Sequence, residues 1–566
     1  MPPKSRAEII QEDMRDLHRL GYAQQLFREM GGFSNFAISF SIISILTGAI
    51  LLFGFGLRFA GPLANSVGWP LVSLFVLIVA ASMAELASAY PTAGGLYFWA
   101  YRLGGPRWAW TTAWFNMIGQ VTTTAGVNIG VAIYLVGAVT RIFGLPSNAA
   151  IPLFGTLDNW YFYVFVMGLV TIPQMLINML GIKVTARLNN ISVWWHVGGV
   201  IAIALALTFL GKTHHPLNFA FQFVKTTNPY DFSSAEISKG LTAPALYLGN
   251  PITQKPLLVL PSPLFAMFPS LATLYHAAPL WLVLGIALLQ AQWTYTGYDA
   301  SAHMAEETCM ARLNCAWGVF LSVAVSAVAG YLMLMVLTLS ITDIAATATD
   351  SYPVLKIIYD NVPPFCANVI AVVIAGAMWL CGLSCITSMS RMWFAFARDG
   401  GMPGHTWIRQ IHPKWRTPVN SIIVTCLLAV LMLLWSGAYF VVTAICVMML
   451  YWAYGIPIFL NLRNKLRRRG EYTTPQTAPW NLKKWGPSLN LISVCWIALI
   501  SVFMALPPNE LVLWTTVLIC LFMFAYWHLD VKKRFSGPVP ADEAQLRRLE
   551  ASLTTDEPSA GQAVTK

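Results

Sequence analysis

Uncharged, mostly apolar stretches of roughly 20 residues or more recur along this chain of 566 residues from Phe33 onward. A helix of about 20 residues crosses the hydrocarbon core of a bilayer, and it satisfies all of its own backbone hydrogen bonds there. Charged residues make up only 10% of the chain, whereas a soluble protein needs about a quarter. The pattern predicts an all-α integral membrane protein and excludes soluble, disordered, fibrous and disulfide-rich classes.

Twelve such stretches each predict one membrane-spanning helix, and we call them spans 1 to 12. They lie near residues 33–57, 69–90, 110–140, 160–182, 190–210, 279–300, 315–340, 365–390, 418–435, 438–461, 488–506 and 510–529. Spans 9 and 10 form one uncharged block from Thr417 to Leu462, which is too long for one crossing and is divided at Ser436 and Gly437.

Lys and Arg residues predict the orientation, because loops rich in them stay on the cytoplasmic side. With both termini inside, 28 of the 35 Lys and Arg residues lie on the inner side, which supports an even number of spans. The net charge of +11 therefore reflects this bias and indicates no nucleic acid partner. No apolar stretch precedes Gly31, so no cleavable signal peptide is expected. We expect a multi-pass protein of the plasma or cytoplasmic membrane with both termini in the cytoplasm.

The spans divide the chain into seven segments. They are an inner N-terminal segment (1–32), spans 1–5 (33–210), an outer loop (211–278), spans 6–10 (279–461), a basic inner loop (462–487), spans 11 and 12 (488–530), and a polar, disordered inner tail (531–566). The uncharged segment from Leu257 to Tyr275 is almost long enough to cross the membrane, but Pro261, Pro263 and Pro269 interrupt it, so it is assigned to the outer loop.

Spans 1 and 6 each carry polar residues and glycine in the middle of the membrane. Thr47 and Gly48 interrupt span 1, and Gly297 lies in a polar patch of span 6. Glycine lowers the cost of unwinding, and unwound backbone at this depth is tolerated only where it lines a cavity. Glycine also serves as a simple packing contact, but two interruptions at corresponding positions predict a LeuT-like 5+5 inverted repeat, followed by two additional helices.

Such breaks would expose backbone groups that suit a zwitterion. Free N–H groups at a half-helix start attract a carboxylate, and free carbonyl groups attract an ammonium. The candidate substrate-binding residues are Ser44, Ile45, Leu46, Thr47 and Gly48 at the first break, Trp293, Thr294, Tyr295 and Gly297 at the second, and Gln120 of span 3. Trp293 or Tyr295 could close over the ligand or stack on its cationic group, or could pack as ordinary core residues.

Four long motifs carry a resemblance to a known family. They are FSNFAISFSIISILTG from Phe33, ELASAYPTAGGLYFW from Glu85, GYDASAHMAEET from Gly297 and SRMWFAFARDGGMP from Ser390. They resemble the amino acid/choline branch of the amino acid, polyamine and organocation transporter superfamily, and are most similar to plant bidirectional amino acid transporters and to fungal and bacterial gamma-aminobutyrate permeases. The resemblance implies a ten-helix inverted-repeat core plus two trailing helices, and secondary transport of amino acids or related amines. The long outer loop departs from the family pattern.

His196 is the candidate for proton coupling. It lies several residues inside span 5, where an ionisable group is costly and usually functional. In similar proton-coupled transporters a lysine follows a run like Arg187–Asn190 and replaces a sodium ion, and the resemblance places His196 on that lysine. Its ordinary pKa of about 6.5 suits proton exchange near neutral pH. Protonated, it could bind carbonyls at the first break and Ser384, Thr387 or Ser388 of span 8. A neutral, hydrogen-bonded histidine of the bundle is the alternative.

Glu85 and Asp299 are the candidate gating residues. Either could form an ion pair with Arg residues of the inner side. Glu306 and Glu307 instead read as part of a solvated inner loop near Arg312. Arg391 and Arg398 are expected to anchor span 8 at the inner interface.

The pattern as a whole favours a secondary transporter that moves amino acids or gamma-aminobutyrate by alternating access, with a proton as coupling ion. The alternatives are a transporter of choline, a polyamine or another organic amine, and a nontransporting nutrient sensor of the same fold. An enzyme is not expected, because clustered ionisable residues within the spans are lacking. The sequence indicates no cofactor and no metal site.

Overall fold

The computed structural model describes residues 5–146, 148–224, 245–249, 256–277, 279–467, 478–538, 544–546, 548 and 550. The regular secondary structure of this part is helical apart from two short hairpins, Ala150–Ile151 with Gly155–Thr156 and Ala245–Gly249 with Pro256–Pro261, and turns and irregular segments connect the helices. Most of the tail predicted to be disordered lies outside the described residues.

Helices occupy every predicted span. In spans 1 to 5 they are Gly32–Ile43, Gly48–Leu51, Phe53–Ala60, Ala64–Gly68, Trp69–Ala89, Pro106–Ile142, Trp160–Met179 and Ile182–Leu210. In spans 6 to 10 they are Leu280–Ala287, Leu289–Thr294, Ala300–His303, Ala305–Glu307, Ala311–Leu339, Pro364–Arg398, Val419–Leu431 and Ala438–Arg467. In spans 11 and 12 they are Gly486–Ala505, Glu510–Tyr526, Trp527–Val531 and Lys532–Arg534.

Shorter helices flank the spans on both sides. They are Arg6–Arg19, Leu96–Gly104, Leu217–Phe221, Pro263–Met267, Pro269–Ala277, Ile344–Thr349, Pro353–Asn361, His405–Ile408 and Lys483–Trp485. The segment from Leu257 to Tyr275 does not form one crossing helix, because a strand ends at Pro261 and new helices begin at Pro263 and Pro269.

The membrane class is confirmed by helix length and composition. Among the described residues, ten helices are long and apolar enough to cross a membrane, and a pair bent by 88°, Pro269–Tyr275 with Leu280–Thr294, would make eleven. Span 9 contains a shorter apolar helix, Val419–Leu431. The chain is therefore a multi-pass membrane protein, whereas the count of twelve crossings stays a prediction.

The spans separate into a buried centre and a lipid-facing periphery. The most apolar windows of spans 1 and 10 are each 83% buried, and those of spans 3 and 8 are 72% buried, whereas that of span 12 is only 22% buried. Span 3 packs against spans 8 and 10, and span 2 packs against span 7. Span 2 is thus in contact with span 7 and span 3 with span 8, whereas the inverted repeat itself stays a prediction.

Span 1 is interrupted between Ile43 and Gly48. Ser44 adopts a left-handed conformation with φ 35°, and the chain turns through residues 44–47 before the outer half begins at Gly48. The Ser44 carbonyl accepts hydrogen bonds from the N–H groups of Thr47 and Gly48. The helix is thus broken at the predicted position.

Span 6 is interrupted between Thr294 and Ala300. Gly297 has φ 83°, which an L side chain rarely adopts. Its N–H donates to the Tyr454 hydroxyl of span 10 at 3.0 Å. The second predicted break is therefore also present.

The two breaks touch each other. A Cβ atom added at Gly48 would lie 2.6 Å from Thr294 Cα, and one added at Gly297 would lie 2.2 Å from Ile42 Cγ2. Gln290 Nε2 donates to the Ala49 carbonyl across the same junction at 3.2 Å. Glycine is required at both positions because the opposing chain leaves no space for a side chain.

Gly48→Ala is expected to destabilise the protein by about 1–3 kcal/mol, since the added methyl group would collide with backbone and not with a movable side-chain end. Thermal unfolding of the purified protein would measure the loss. The control is Gly198→Ala on span 5, where nothing lies within 4 Å of the added Cβ. Equal melting temperatures for the two variants would contradict the close contact of the breaks.

Candidate functional site

Backbone groups without partners lie at both breaks. In the part of the chain that the structure describes, the N–H groups of Ile45 and Leu46 have no hydrogen-bond partner, and the carbonyl groups of Gln292 and Thr294 accept none. All four residues are buried. Donors at the first break thus lie beside acceptors at the second, because Gly48 and Thr294 are in contact. A small molecule that carries a carboxylate and an ammonium matches this arrangement.

His196 lies at the first break, as the sequence predicts. Its Nε2 lies 2.6 Å from Ser44 Oγ, and its Nδ1 lies 2.7 Å from the Ser192 carbonyl oxygen. A carbonyl only accepts, so Nδ1 carries the proton, and in a neutral ring Nε2 accepts from the Ser44 hydroxyl. The Ser44 hydroxyl also lies 2.5 Å from Thr47 Oγ1. A neutral imidazole is therefore fully satisfied here.

The expected hydroxyl partners on span 8 do not reach His196. Ser384 Oγ bonds to Asn189 Oδ1 and the Leu380 carbonyl, and Thr387 Oγ1 donates to Asn178 Oδ1 at 2.7 Å. Ser388 is likewise not bonded to the imidazole within the described residues. That expectation is wrong because amides of spans 4 and 5 take up these hydroxyl groups first.

Of three candidate substrate-binding residues on spans 3 and 6, Trp293 and Gln120 are placed to line the site, and Tyr295 is not. Trp293 borders span 3, with Cζ2 3.3 Å from the position of a Cβ at Gly126. Gln120 is buried, and its amide oxygen has no partner among the described residues. The Tyr295 hydroxyl instead bonds to Ser73 Oγ of span 2 at 2.6 Å. Its side chain packs in the bundle and does not close over the breaks.

Tyr298 is a site residue that sequence reasoning missed. It belongs to the second break, is fully buried, and packs on Tyr454 with ring centroids 4.9 Å apart. Its hydroxyl has no partner within the described residues. Its place inside GYDASAHMAEET, directly after Gly297, is the signal that could have found it.

Buried ion pairs close the side that is predicted to face the cytoplasm. Glu85 Oε2 lies 2.5 Å from Lys465 Nζ, so this candidate gate pairs with a lysine of span 10 and not with an arginine. Glu307 pairs with Arg391 at 3.0 Å. Glu306 pairs with Arg398 at 3.1 Å.

Three expectations about these charges are wrong. Glu306 and Glu307 are buried and do not form a solvated loop, and Arg391 is fully buried and not an interface anchor. Asp299 contacts no arginine of the described structure, and its carboxylate is hydrogen-bonded to Asn116, His303 and Tyr454. A usable signal was present, because Arg391 and Arg398 are seven residues apart and therefore lie on one helix face.

The N-terminal segment adds to this closure. Arg28 is buried and donates to the carbonyl groups of Ala305 and Thr308. The N–H of Met30 donates to the Glu307 carbonyl at 3.0 Å, and the N–H of Cys309 donates to the Met30 carbonyl at 2.9 Å. The segment is thus bound to the chain between spans 6 and 7.

Residues 30–527 match the model of a protein family described as amino acid permease. The chain belongs to the amino acid permease family. It is 31% identical to the amino-acid permease BAT1 of Arabidopsis thaliana over 549 residues, which cover 92% of this chain and 95% of that protein. It is 30% identical to the BAT1 homolog of Oryza sativa subsp. japonica, with the same coverage. It is also 25% identical to the GABA-specific permease of Saccharomyces cerevisiae, over 73% of this chain and 64% of that protein.

Membership in the permease family confirms the resemblance seen in the four motifs. It indicates an amino acid transporter, and a transporter rather than an enzyme. Within the described residues, no group of three or more His, Cys, Asp or Glu side chains could hold a metal ion.

Glu307→Gln is expected to cost the permease about 3–5 kcal/mol of stability, because it leaves the buried Arg391 guanidinium without its counter-charge. Lys356→Gln is the matched control, since it breaks the Lys356–Asp360 pair, which is partly exposed on the outer side. That change should cost at most about 1 kcal/mol. Unfolding of both purified variants would compare the two losses of stability. Similar losses would show that the buried Glu307–Arg391 pair stabilises the protein no more than a partly exposed pair does.

Proposed function

We propose that this permease is a proton-coupled secondary transporter that carries an amino acid or gamma-aminobutyrate by alternating access. The observation that supports the proposal most strongly is the contact between two helix breaks that offer unpartnered backbone donors and acceptors at membrane depth. Such groups are costly in the bilayer unless a ligand or cavity takes them up.

Substrate would bind with its carboxylate at the N–H groups of Ile45 and Leu46. Its ammonium would lie at the carbonyl groups of Gln292 and Thr294. Gln120, Trp293 and Tyr298 are positioned to contact the remainder of the substrate. The printed name of the yeast relative, a GABA-specific permease, and those of the plant relatives favour amino acids as the substrate class.

The two sides of the site differ, which is what alternating access requires. An outer cavity of about 60 Å³ includes Leu51 and Leu52 of span 1, immediately beyond the first break, with Arg58, Tyr134 and Asp350 in its wall. The inner side is closed by the buried ion pairs of Glu85, Glu306 and Glu307. We infer that these pairs separate when the site opens to the cytoplasm, and that the protein lies in the cell membrane with both termini inside.

Proton coupling would act through His196. A second proton on the ring forces Nε2 to donate, so the Ser44 hydroxyl must turn from donor to acceptor. Ser44 is the left-handed residue at which span 1 breaks. Protonation would thereby alter hydrogen bonding at the substrate site itself.

A transporter of choline, a polyamine or another organic amine is the second candidate, and a nontransporting sensor is the third. The carboxylate-binding N–H groups of the first break favour a substrate with both charges over a simple amine.

Purified protein in proteoliposomes should accumulate labelled gamma-aminobutyrate or a neutral amino acid under an imposed proton gradient without sodium. Methyl esters of the same compounds, which lack the carboxylate, should not compete. Competition by choline as strong as that by amino acids would shift the assignment to organic amines. Absence of uptake for gamma-aminobutyrate, neutral amino acids and choline would refute the proposal that the protein is a transporter of these compounds.

His196→Ala is expected to abolish the dependence of uptake on external pH, since it removes the imidazole that would take up the coupling proton at the first break. Uptake measured across the pH range in proteoliposomes would test this. His214→Ala provides the control, because His214 is exposed in the segment after span 5. Unchanged proton-driven accumulation in the His196 variant would remove this residue from the coupling mechanism.

A further inference from the structure

A second buried histidine lies at the other break. His303 ends the short helix Ala300–His303, and both it and Asp299 are fully buried. Its Nε2 lies 3.0 Å from Asp299 Oδ2, and its Nδ1 lies 3.2 Å from the carbonyl oxygen of Ala93, in the turn after span 2.

Both ring nitrogens of His303 therefore face acceptors. The Ala93 carbonyl can only accept, so Nδ1 must carry a proton. An ionised carboxylate can also only accept, so Nε2 must carry a second proton unless Asp299 itself is protonated. Either way, the pair holds one proton more than a neutral imidazole beside an ionised carboxylate.

The neighbours of Asp299 place that proton on the imidazole. The Tyr454 hydroxyl accepts the N–H of Gly297, so its own proton goes to Asp299 Oδ1 at 2.9 Å. Asn116 Nδ2 donates to Oδ2 at 2.9 Å. A carboxyl group that receives three donors is stabilised as the carboxylate, which makes His303 the imidazolium.

The other titratable groups around the pair do not supply a competing charge. Tyr298 and Tyr454 contribute phenols, and Cys385 of span 8 contributes a thiol. Glu306 accepts the N–H of Ala93 at 3.2 Å, but its charge is paired with Arg398. Phenols and thiols are neutral at pH 7, so the imidazolium and carboxylate neutralise each other.

We propose that Asp299 and His303 form a proton-binding site separate from His196, carried by the inner half of span 6. The proton is held while His303 donates to Ala93. When span 6 moves away from the turn after span 2, Nδ1 loses its acceptor and the proton passes to water on the inner side. The inference rests on hydrogen-bond geometry and not on the identity of the transported substrate.

Nitrogen-15 spectroscopy of the full-length protein with labelled histidine in lipid, at pH 8, tests the site. Free histidines are neutral at this pH, since their ordinary pKa is about 6.5. An imidazolium signal that vanishes in His303→Gln, and is thereby assigned to His303, should remain at this pH and should become a neutral-ring signal in Asp299→Asn. His405→Gln, in the short helix after span 8, is the control in which this signal should persist.

Infrared spectra complete the test. A neutral His303 together with a carboxylic acid band that disappears in Asp299→Asn would place the same proton on the carboxyl group, and would support the site. A neutral His303 beside an ionised Asp299 would overturn it. The result is independent of uptake, so failure of the His196 prediction would leave this test unaffected.

Discussion

Unpaired peptide groups cannot remain in hydrocarbon, and this constraint governs the centre of the permease. Each helix break releases several N–H and carbonyl groups, and the surrounding spans satisfy most of them. Ser39 Oγ donates to the Tyr298 carbonyl at 2.9 Å, and the Tyr454 hydroxyl accepts the N–H of Gly297 at 3.0 Å. The groups that stay without partners in the described structure, at Ile45, Leu46, Gln292 and Thr294, are therefore the informative ones. They lie where the two breaks meet, and the same close contact leaves no space for a side chain at Gly48 and Gly297.

Buried charge follows the same logic at the inner side. Taking an ion out of water costs several kcal/mol, so such groups persist only with a close counter-charge and further hydrogen bonds. Glu307 and Arg391 meet this condition through two N–H···O bonds, and Glu306 meets it with Arg398. These pairs link the short helix Ala305–Glu307, after the second break, to span 8, and both elements belong to the second half of the predicted repeat, spans 6–10. A buried ion pair is strong only while both partners are in contact and water is excluded. When the partners separate and water enters, both ions are solvated again. Such pairs are therefore suited to a closure that must also open.

The sequence was most informative for features that depend on residues close together in the chain. Unwinding at Gly48 and Gly297 follows from residue type and membrane depth, and the position of His196 beside the first break follows from the family motif. It failed where the determinants are distant along the chain. Glu307 and Arg391 are 84 residues apart, and Glu85 and Lys465 are 380 residues apart. Short-range charge patterns assign Glu307 to a solvated loop and give Glu85 an arginine partner, because no local feature records which helix faces either residue. The orientation of Tyr295 toward Ser73 was hidden for the same reason.

The two buried histidines show how the same side chain can have opposite proton requirements at the two breaks. His196 faces one obligate acceptor, the Ser192 carbonyl, and the hydroxyl groups of Ser44 and Ser192. Because the Ser44 hydroxyl can donate to Nε2, a neutral ring satisfies all of these contacts. His303 faces a carbonyl and a carboxylate, which demand two donors. A charged ring at His196 would have no counter-ion among its hydrogen-bond partners, whereas at His303 the counter-ion is adjacent. With the inner side closed, the core can thus hold a proton at the second break without burying net charge. Any conformational change that separates Ala93 from His303 alters that balance directly, which links proton affinity to the position of span 6.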